Sequence, residues 1–516
     1  MFNDQRFREQ SVHLVILLTL LLAALQPARS QAPGQAVGVP PTPGYTPPGA
    51  TTPAPAPSGV TLSVPAPSAA AVPGQAPSPF QGSVPTGQPT GTTLALSLRD
   101  ALARALKYNL GGIESNQNTR TAHAARLRNL SALLPNLYGN VSVNEQQVNL
   151  RSFGLRLQTI PGFSIPTIVG PFTVQDVRAY LTQQVFNWSD VKNWKSASQS
   201  ERASLYTYKS DRDLVVLVTG TAYLQVIADA ASVESNRAQV RTNQTIYDQD
   251  VDQNRVGVIP AIDVLRAKVQ LQTQQQQLIA AENQLSIDKL TLGRIIGLPN
   301  GQDFLLTDVV PYAPLTGITL EQALAQAYAT RPDYTSAKAQ LRAAELALQA
   351  AAAENYPSLG INANYGVIGS PNFGSSHGTF LVAGTLTIPL FLGTQVRADK
   401  LQADATLRNR KAQLENLRGQ IDDQVRTAFF NLQSSSELVK VAQSNLELAN
   451  QTLSQSQDRF RAGVTNSVEV VQSQQAVATA NQSYIASLYS YNTAKISLAQ
   501  AVGVAEQSAL EYLGVK

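Results

Sequence analysis

Leu359-Gly360-Ile361-Asn362-Ala363-Asn364-Tyr365-Gly366-Val367 alternates apolar residues with small or polar ones at a period of two. In an extended strand that period sends every apolar side chain to the same face. Thr385-Leu386-Thr387-Ile388-Pro389-Leu390 repeats the pattern, and from Ser358 to Phe391 there is no Asp, Glu, Lys or Arg. Alternation over about ten residues without charge marks a strand that crosses a membrane in a barrel. An earlier stretch is noisier: Leu137, Val141 and Val143 alternate with Tyr138, Asn140 and Ser142, and Val174 to Phe186 includes Asp176 and Arg178. Those two charges are expected outside the bilayer or facing a lumen.

Long helices follow each strand pair. No Pro occurs from Trp188 to about Tyr247, or from Thr394 to Phe460. About 60 helical residues make a rod of roughly 90 Å. Leu414, Leu417, Ile421, Val425, Ala428 and Leu432, then Val439, Ala442, Leu446, Ala449 and Leu453, keep a three-four spacing. That is a coiled-coil seam. The opening helix, expected from Leu98 to Leu133, starts with Leu98, Leu102, Ala105 and Leu106 at the same spacing.

The chain is written twice. Ser97-Leu98-Arg99-Asp100-Ala101-Leu102 recurs as Thr319-Leu320-Glu321-Gln322-Ala323-Leu324 at an offset of 222 (319 − 97), as does Leu134-Pro135 in Tyr356-Pro357. Further on, Gly257-Val258-Ile259-Pro260-Ala261-Ile262-Asp263 pairs without gaps with Gly463-Val464-Thr465-Asn466-Ser467-Val468-Glu469, at 206 (463 − 257). Ile296-Gly297 and Val502-Gly503 match at 206 as well. The second half is therefore 16 residues shorter (222 − 206), and the loss is expected between Leu150 and Phe172, against Gly369 to Gly378. In each Gly motif a glycine can end one long helix in the left-handed conformation, and an acid six residues later opens the next. Two such turns at a fixed offset lie at the same end of the molecule, opposite the strands.

Arg6 and Arg8 precede an apolar run from Val12 to Leu25, and Ala28-Arg29-Ser30 offers a cleavage site, so residues 1–30 read as a secretory signal. Residues 31–93 hold no charge and much Pro, Ala, Gly and Thr, which reads as a disordered linker. Residues 94–317 and 318–504 are then the two repeats, and 505–516 a C-terminal tail. Past the signal, no segment reads as a transmembrane helix. The chain has no cysteine, so thiol chemistry, thiolate metal sites and a lipid-bearing Cys are excluded. A formal charge of +4 spread over 516 residues gives no footprint for nucleic acid.

Little in the sequence points to catalysis. Only three histidines occur, and neither His123 nor His377 sits among carboxylates at ligand spacing. Asp211-Arg212-Asp213 and Asp422-Asp423 read as solvated helix faces, because adjacent helical positions diverge by about 100°. Phosphate loops, nucleophile elbows and metal motifs are all missing, so neither a cofactor nor a metal is expected and the chain reads as no enzyme. Trp188 and Trp194 fit either an interfacial aromatic belt or simple packing.

The doubled opening helices, the Leu-Pro and Tyr-Pro strand entries, the exits Gln183-Gln184-Val185-Phe186 and Ile388-Pro389-Leu390-Phe391, and the two Gly turns occur in order and in duplicate. In this the chain resembles the TolC-like outer-membrane efflux protein family, from Leu94 to Val504. The resemblance implies an α+β membrane protein. Each subunit would give four strands to a trimeric twelve-stranded β-barrel continuous with a coiled-coil helical barrel closed at its periplasmic tip. It implies a homotrimer in outer-membrane lipid that passively conducts cargo from an inner-membrane pump through a periplasmic adaptor, in efflux or type I secretion. Carried over residue by residue, it places Asp263 and Glu469 at the tunnel entrance, with Gln472 where some members carry a second acid. Phe460 and Thr465 stand where some members use a Tyr and an Arg to latch the closed state, and neither can make those links. Arg255, Gly257 and Val258, with Arg461, Gly463 and Val464, form the turns expected to meet the adaptor. The alternative from another class is an extended coiled-coil scaffold of the envelope.

Overall fold

The structure, a computed structural model, describes residues 78–153, 166–308, 312–314, 317–370, 375–462, 464–465 and 467–514. The expected signal, most of the expected linker, Gly162, Gly463 and Asn466 lie outside them.

The elements in chain order are β1 (Leu94–Leu96), α1 (Leu98–Tyr108), α2 (Leu110–Ser131), β2 (Asn136–Asn149), β3 (Ile168–Phe186), α3 (Trp188–Arg255) and α4 (Ala261–Ile295). They continue with β4 (Phe304–Leu306), α5 (Leu320–Thr330), α6 (Pro332–Ala353), β5 (Ser358–Ser370), β6 (Ser375–Thr387), α7 (Gln395–Arg461), α8 (Ser467–Val502) and α9 (Ala505–Leu513). Lengths match across the two halves: 11 residues in α1 and α5, 22 in α2 and α6, 68 and 67 in α3 and α7, 35 and 36 in α4 and α8. The strand pairs do not match. β2 and β3 hold 14 and 19 residues and are joined by 150–167; β5 and β6 hold 13 each and are joined by 371–374.

The four long strands form one antiparallel sheet in the order β2-β3-β5-β6. The register pairs Leu137 with Leu181, Val141 with Val177, Val177 with Val367, Ala363 with Leu181 and Val382, Tyr365 with Phe380, and Leu359 with Leu386. One face is therefore predominantly apolar, interrupted by Glu145, Gln175 and Gln183, while Asn140, Arg178, Asn362 and Asn364 lie on the other. Arg178 Nε donates to Asp176 Oδ1 at 2.6 Å on that polar face. Gly366 pairs with Arg178, and any Cβ there would come within 2.6 Å of the Arg178 Cα. Among the described residues, no strand lies beside the outer edges of β2 and β6.

Two apolar cores sit at the middle of α3 and α7, beside the sheet-proximal ends of α4 and α8. In one, Leu98, Ala101 and Ala105 of α1 pack with Val216, Tyr223 and Leu224 of α3, Leu292 of α4, Ile496 of α8 and Leu513 of α9. In the other, Ala323 and Ala327 of α5 pack with Ile421, Val425 and Leu432 of α7 and Leu498 of α8. The α7 seam is buried at Leu414, Ile421, Val425, Ala428, Leu432, Val439 and Ala442, as its spacing requires.

Several expectations need correcting. The opening helix breaks at Asn109, whose side chain accepts from Gly111 N at 3.0 Å and donates to Phe80 O at 2.7 Å, starting a second helix. Part of the supposed linker is docked: Phe80 lies on Gly111, Val84 N donates to Tyr108 O, and Thr90 N donates to Gln302 Oε1 at 2.8 Å. The supposed tail is the helix α9, with Ala505, Ala509 and Leu513 buried. Asp211-Arg212-Asp213 is no solvated face. Ser115 Oγ donates to Asp211 at 2.5 Å, Arg212 holds Glu506 through two bonds, and Asp213 accepts Glu506 N at 2.8 Å. Finally, α3 contains an 18-residue window of mean hydropathy 1.7, apolar enough to cross a membrane. Its physical cause is the first core, where Val215, Val216, Tyr223, Leu224 and Val226 are buried.

Candidate functional site

At the end of the long helices away from the sheet, the two Gly motifs make two turns. In the first, Gly257 adopts φ +79°, Gly257 N donates to Asn254 O at 3.0 Å, and Val258 N donates to Gln253 O at 2.9 Å. These are the two bonds of a Schellman cap. Asn254 Nδ2 adds a bond to Ile259 O at 2.8 Å, and Pro260 precedes α4. Around Gly257 there is open space, so its demand is conformational and not steric. In the second turn Gly463 is outside the described residues, yet Val464 N donates to Arg459 O at 2.9 Å, the corresponding longer bond.

The flanking arginines pair within their own helices: Arg255 with Asp252 at 3.6 Å, Arg461 with Asp458 at 3.0 Å. Val256, Val258 and Val464 are 73%, 70% and 69% exposed, unusual for branched apolar residues in a turn. An exposed apolar group repeated at both turns is the kind of surface that a protein partner covers.

The two expected entrance acids belong to separate networks. Asp263 pairs with Arg266 at 3.0 Å. Glu469 accepts from Arg459 Nη1 at 3.0 Å and from the Thr465 hydroxyl. Thr465 thus does make a polar link, to the acid one helical turn on. Phe460 lines a cleft of about 310 Å³ between α3 and α7–α8, with Ile246, Gln249 and Val470. Gln472 is exposed.

Two further residues stand out only in the structure: Arg459, which clasps Glu469, and Asp250, which is 2% exposed on α3. Burial first, and Asp263 second, push the Asp250 carboxyl up to about 6. The repeat could have revealed it: at an offset of 206 its counterpart is Ser456 (456 − 250), likewise 2% exposed.

Elsewhere, His123 Nδ1 meets Glu201 at 2.7 Å, beside Arg126 on the same acid. No group of three or more His, Asp or Glu that could hold a metal ion occurs among the described residues. Trp188 stacks on Phe186 with ring centroids 6.2 Å apart, at the junction of β3 and α3.

A four-stranded sheet with one apolar face, carried on two long helical pairs that end in capped turns, defines the fold of an outer-membrane channel. The family model "Outer membrane efflux protein" matches residues 114–298 and again 323–504. The chain belongs to the outer membrane efflux protein family and is an outer-membrane protein of efflux or secretion channels. It is 23% identical over 346 residues to the outer membrane protein TolC of Escherichia coli K12, covering 64% of this chain and 69% of TolC. It is 24% identical over 330 residues to the probable efflux pump outer membrane protein TtgC of Pseudomonas putida, covering 60% of this chain and 64% of TtgC, a little under two thirds. Among solved structures, the CmeC outer membrane channel of Campylobacter jejuni matches with a TM-score of 0.68 at 17% identity, covering 79% of this chain and 86% of CmeC. VceC of Vibrio cholerae matches at 0.66 and 16% identity, covering 79% and 96%.

Proposed function

We propose that this chain is the outer-membrane duct of a tripartite efflux or type I secretion assembly, passively conducting cargo that a pump and an adaptor deliver. The observation that carries this reading is the sheet. Its register gathers apolar residues of four strands on one face, and among the described residues its two outer edges are unpaired. In lipid an unpaired backbone group costs several kcal/mol, so several copies must close a barrel edge to edge. Four strands per copy allow the twelve-stranded trimer. An envelope scaffold would have no use for a lipid-facing band.

Within this reading the polar face, with Asp176 and Arg178, lines the lumen. The helical pairs continue the wall across the periplasm. Asp263, Glu469 and Gln472 stand at the entrance, and the turns at Arg255, Gly257 and Val258 and at Arg461, Gly463 and Val464 meet the adaptor. Relatives include TtgC, named for efflux, and the alkaline protease secretion protein AprF of Pseudomonas aeruginosa. Small molecules and polypeptides are thus both open as cargo. Recording from purified protein in planar bilayers tests the duct: discrete conductance steps are expected, and a protein that inserts without conducting overturns it.

A further inference from the structure

The two helical pairs differ at one buried position near their tips. In the second pair Ser456 Oγ lies 2.8 Å from Ser473 Oγ and 3.5 Å from Glu469 Oε1, so hydroxyls meet the acid. Ser473 also donates to the Glu469 carbonyl at 2.9 Å. The offset of 206 maps Ser456, Glu469 and Ser473 onto Asp250, Asp263 and Ala267. There a second carboxyl replaces the hydroxyl, and a methyl replaces its hydrogen-bonding neighbour. Both Asp250 and Ala267 are buried, at 2% and 5% exposure. A carboxyl taken from water beside another carboxyl favours the neutral form of one of them.

We propose that Asp250 is a positioning residue for the entrance: its carboxyl, buried in the α3–α4 tip, keeps that tip packed while protonated and loosens it when ionised. This rests on the reading of the chain as a duct.

The surrounding charges leave Asp263 as the group that acts on it. On α3 itself Arg255 pairs with Asp252, and Asp248 is exposed. On α4 Asp263 holds Arg266. On α7 and α8 Arg461 pairs with Asp458, and Arg459 with Glu469.

The sign follows from linkage. The carboxyl sits at about 6 in the packed tip against an ordinary 3.8. The packed state therefore binds the proton more tightly, is favoured at low pH, and loses that preference as pH rises through 6. A tip that opens Asp250 to water shifts its open-to-packed ratio by roughly a hundredfold between pH 4 and pH 7. The second pair, with serine at this position, has no such response.

Single-channel recording of the full-length protein between pH 4.5 and 7.5 tests this. Wild type should show open probability rising with pH and levelling off above about 6. D250S, which installs the residue of the other repeat, should flatten the profile. D250N, which mimics the protonated form at the same size, should remain in the low-opening state at pH 7.5. Asp229, also raised, to about 7, is untouched by either variant. Variants that keep the wild-type profile overturn the proposal, as does a conducting wild type with no pH response. Absence of any pore at every pH overturns the duct reading itself.

Discussion

Gly503 stands directly against Arg331: a Cβ on this glycine would lie 2.8 Å from the Arg331 Cα and 3.1 Å from its backbone N. Gly503 has φ +81°, and Arg331 sends Nη1 to the Ala501 carbonyl at 2.9 Å, so the end of α8 is locked onto the α5–α6 junction. Its counterpart Gly297, φ +72°, stands against the Tyr108 Cβ at 2.8 Å, near the α1–α2 junction. Each half thus closes the sheet-proximal end of its helical pair on the break in its own opening helix.

Gly503→Ala and Gly297→Ala should destabilise strongly, because a left-handed residue costs about 1–2 kcal/mol and overpacking typically a further 1–3 kcal/mol. Gly257→Ala carries only the first cost, since nothing stands within 4 Å of its added Cβ. Denaturant midpoints of the purified oligomer should rank Gly257→Ala nearest wild type. Equal losses at all three positions would show that packing at the two junctions contributes little.

Lys495 gives a pH signature far from the tip. It is fully buried, donates to the Ala313 carbonyl at 2.5 Å, and burial lowers its ammonium to about 8. A depressed lysine favours the fold when neutral, so that stability is full above about 10.5, the unfolded value, and is lost as pH falls through 8. The melting temperature should therefore rise from pH 7.5 to 10 in wild type, and less in Lys495→Met. Parallel curves for the two proteins would contradict this.

Arg459 neutralises Glu469 across the second turn, through a pair about half exposed and worth under about 1 kcal/mol to the fold. Arg459→Ala should leave assembly intact and raise cation preference in reversal-potential measurements, whereas Glu469→Gln should lower it. Gln472→Ala should change it least. If neither charge variant alters selectivity, the constriction lies elsewhere.

The longer connection, residues 150–167, should lie outside the cell, because barrel loops are longer on that side. An epitope inserted at Gly162 should bind antibody on intact cells. Binding only after lysis would invert the topology.

Much of this was legible from residue order because it rests on local chemistry: strand alternation, helix seams and turn glycines. The shared apolar face of the second hairpin follows once Leu359, Ile361 and Tyr365 are given their partners Leu386, Gly384 and Phe380. What escaped depends on partners remote in sequence. Asp213 looks solvated until Glu506, 293 residues on, donates to it. Residues 78–93 look like linker until Thr90 meets Gln302 and Phe80 meets Gly111. Arg459 was missed for a different reason. Its role needs the turn geometry that brings it back onto Glu469, ten residues later.

A four-stranded sheet whose outer edges are unpaired among the described residues closes only by joining copies of itself. The most direct test is the mass of the detergent-solubilised protein, by native mass spectrometry or light scattering corrected for bound detergent. Three copies that dissociate only on heating, with strand content retained until they do, is the predicted result. A monodisperse monomer with the same strand content would contradict it.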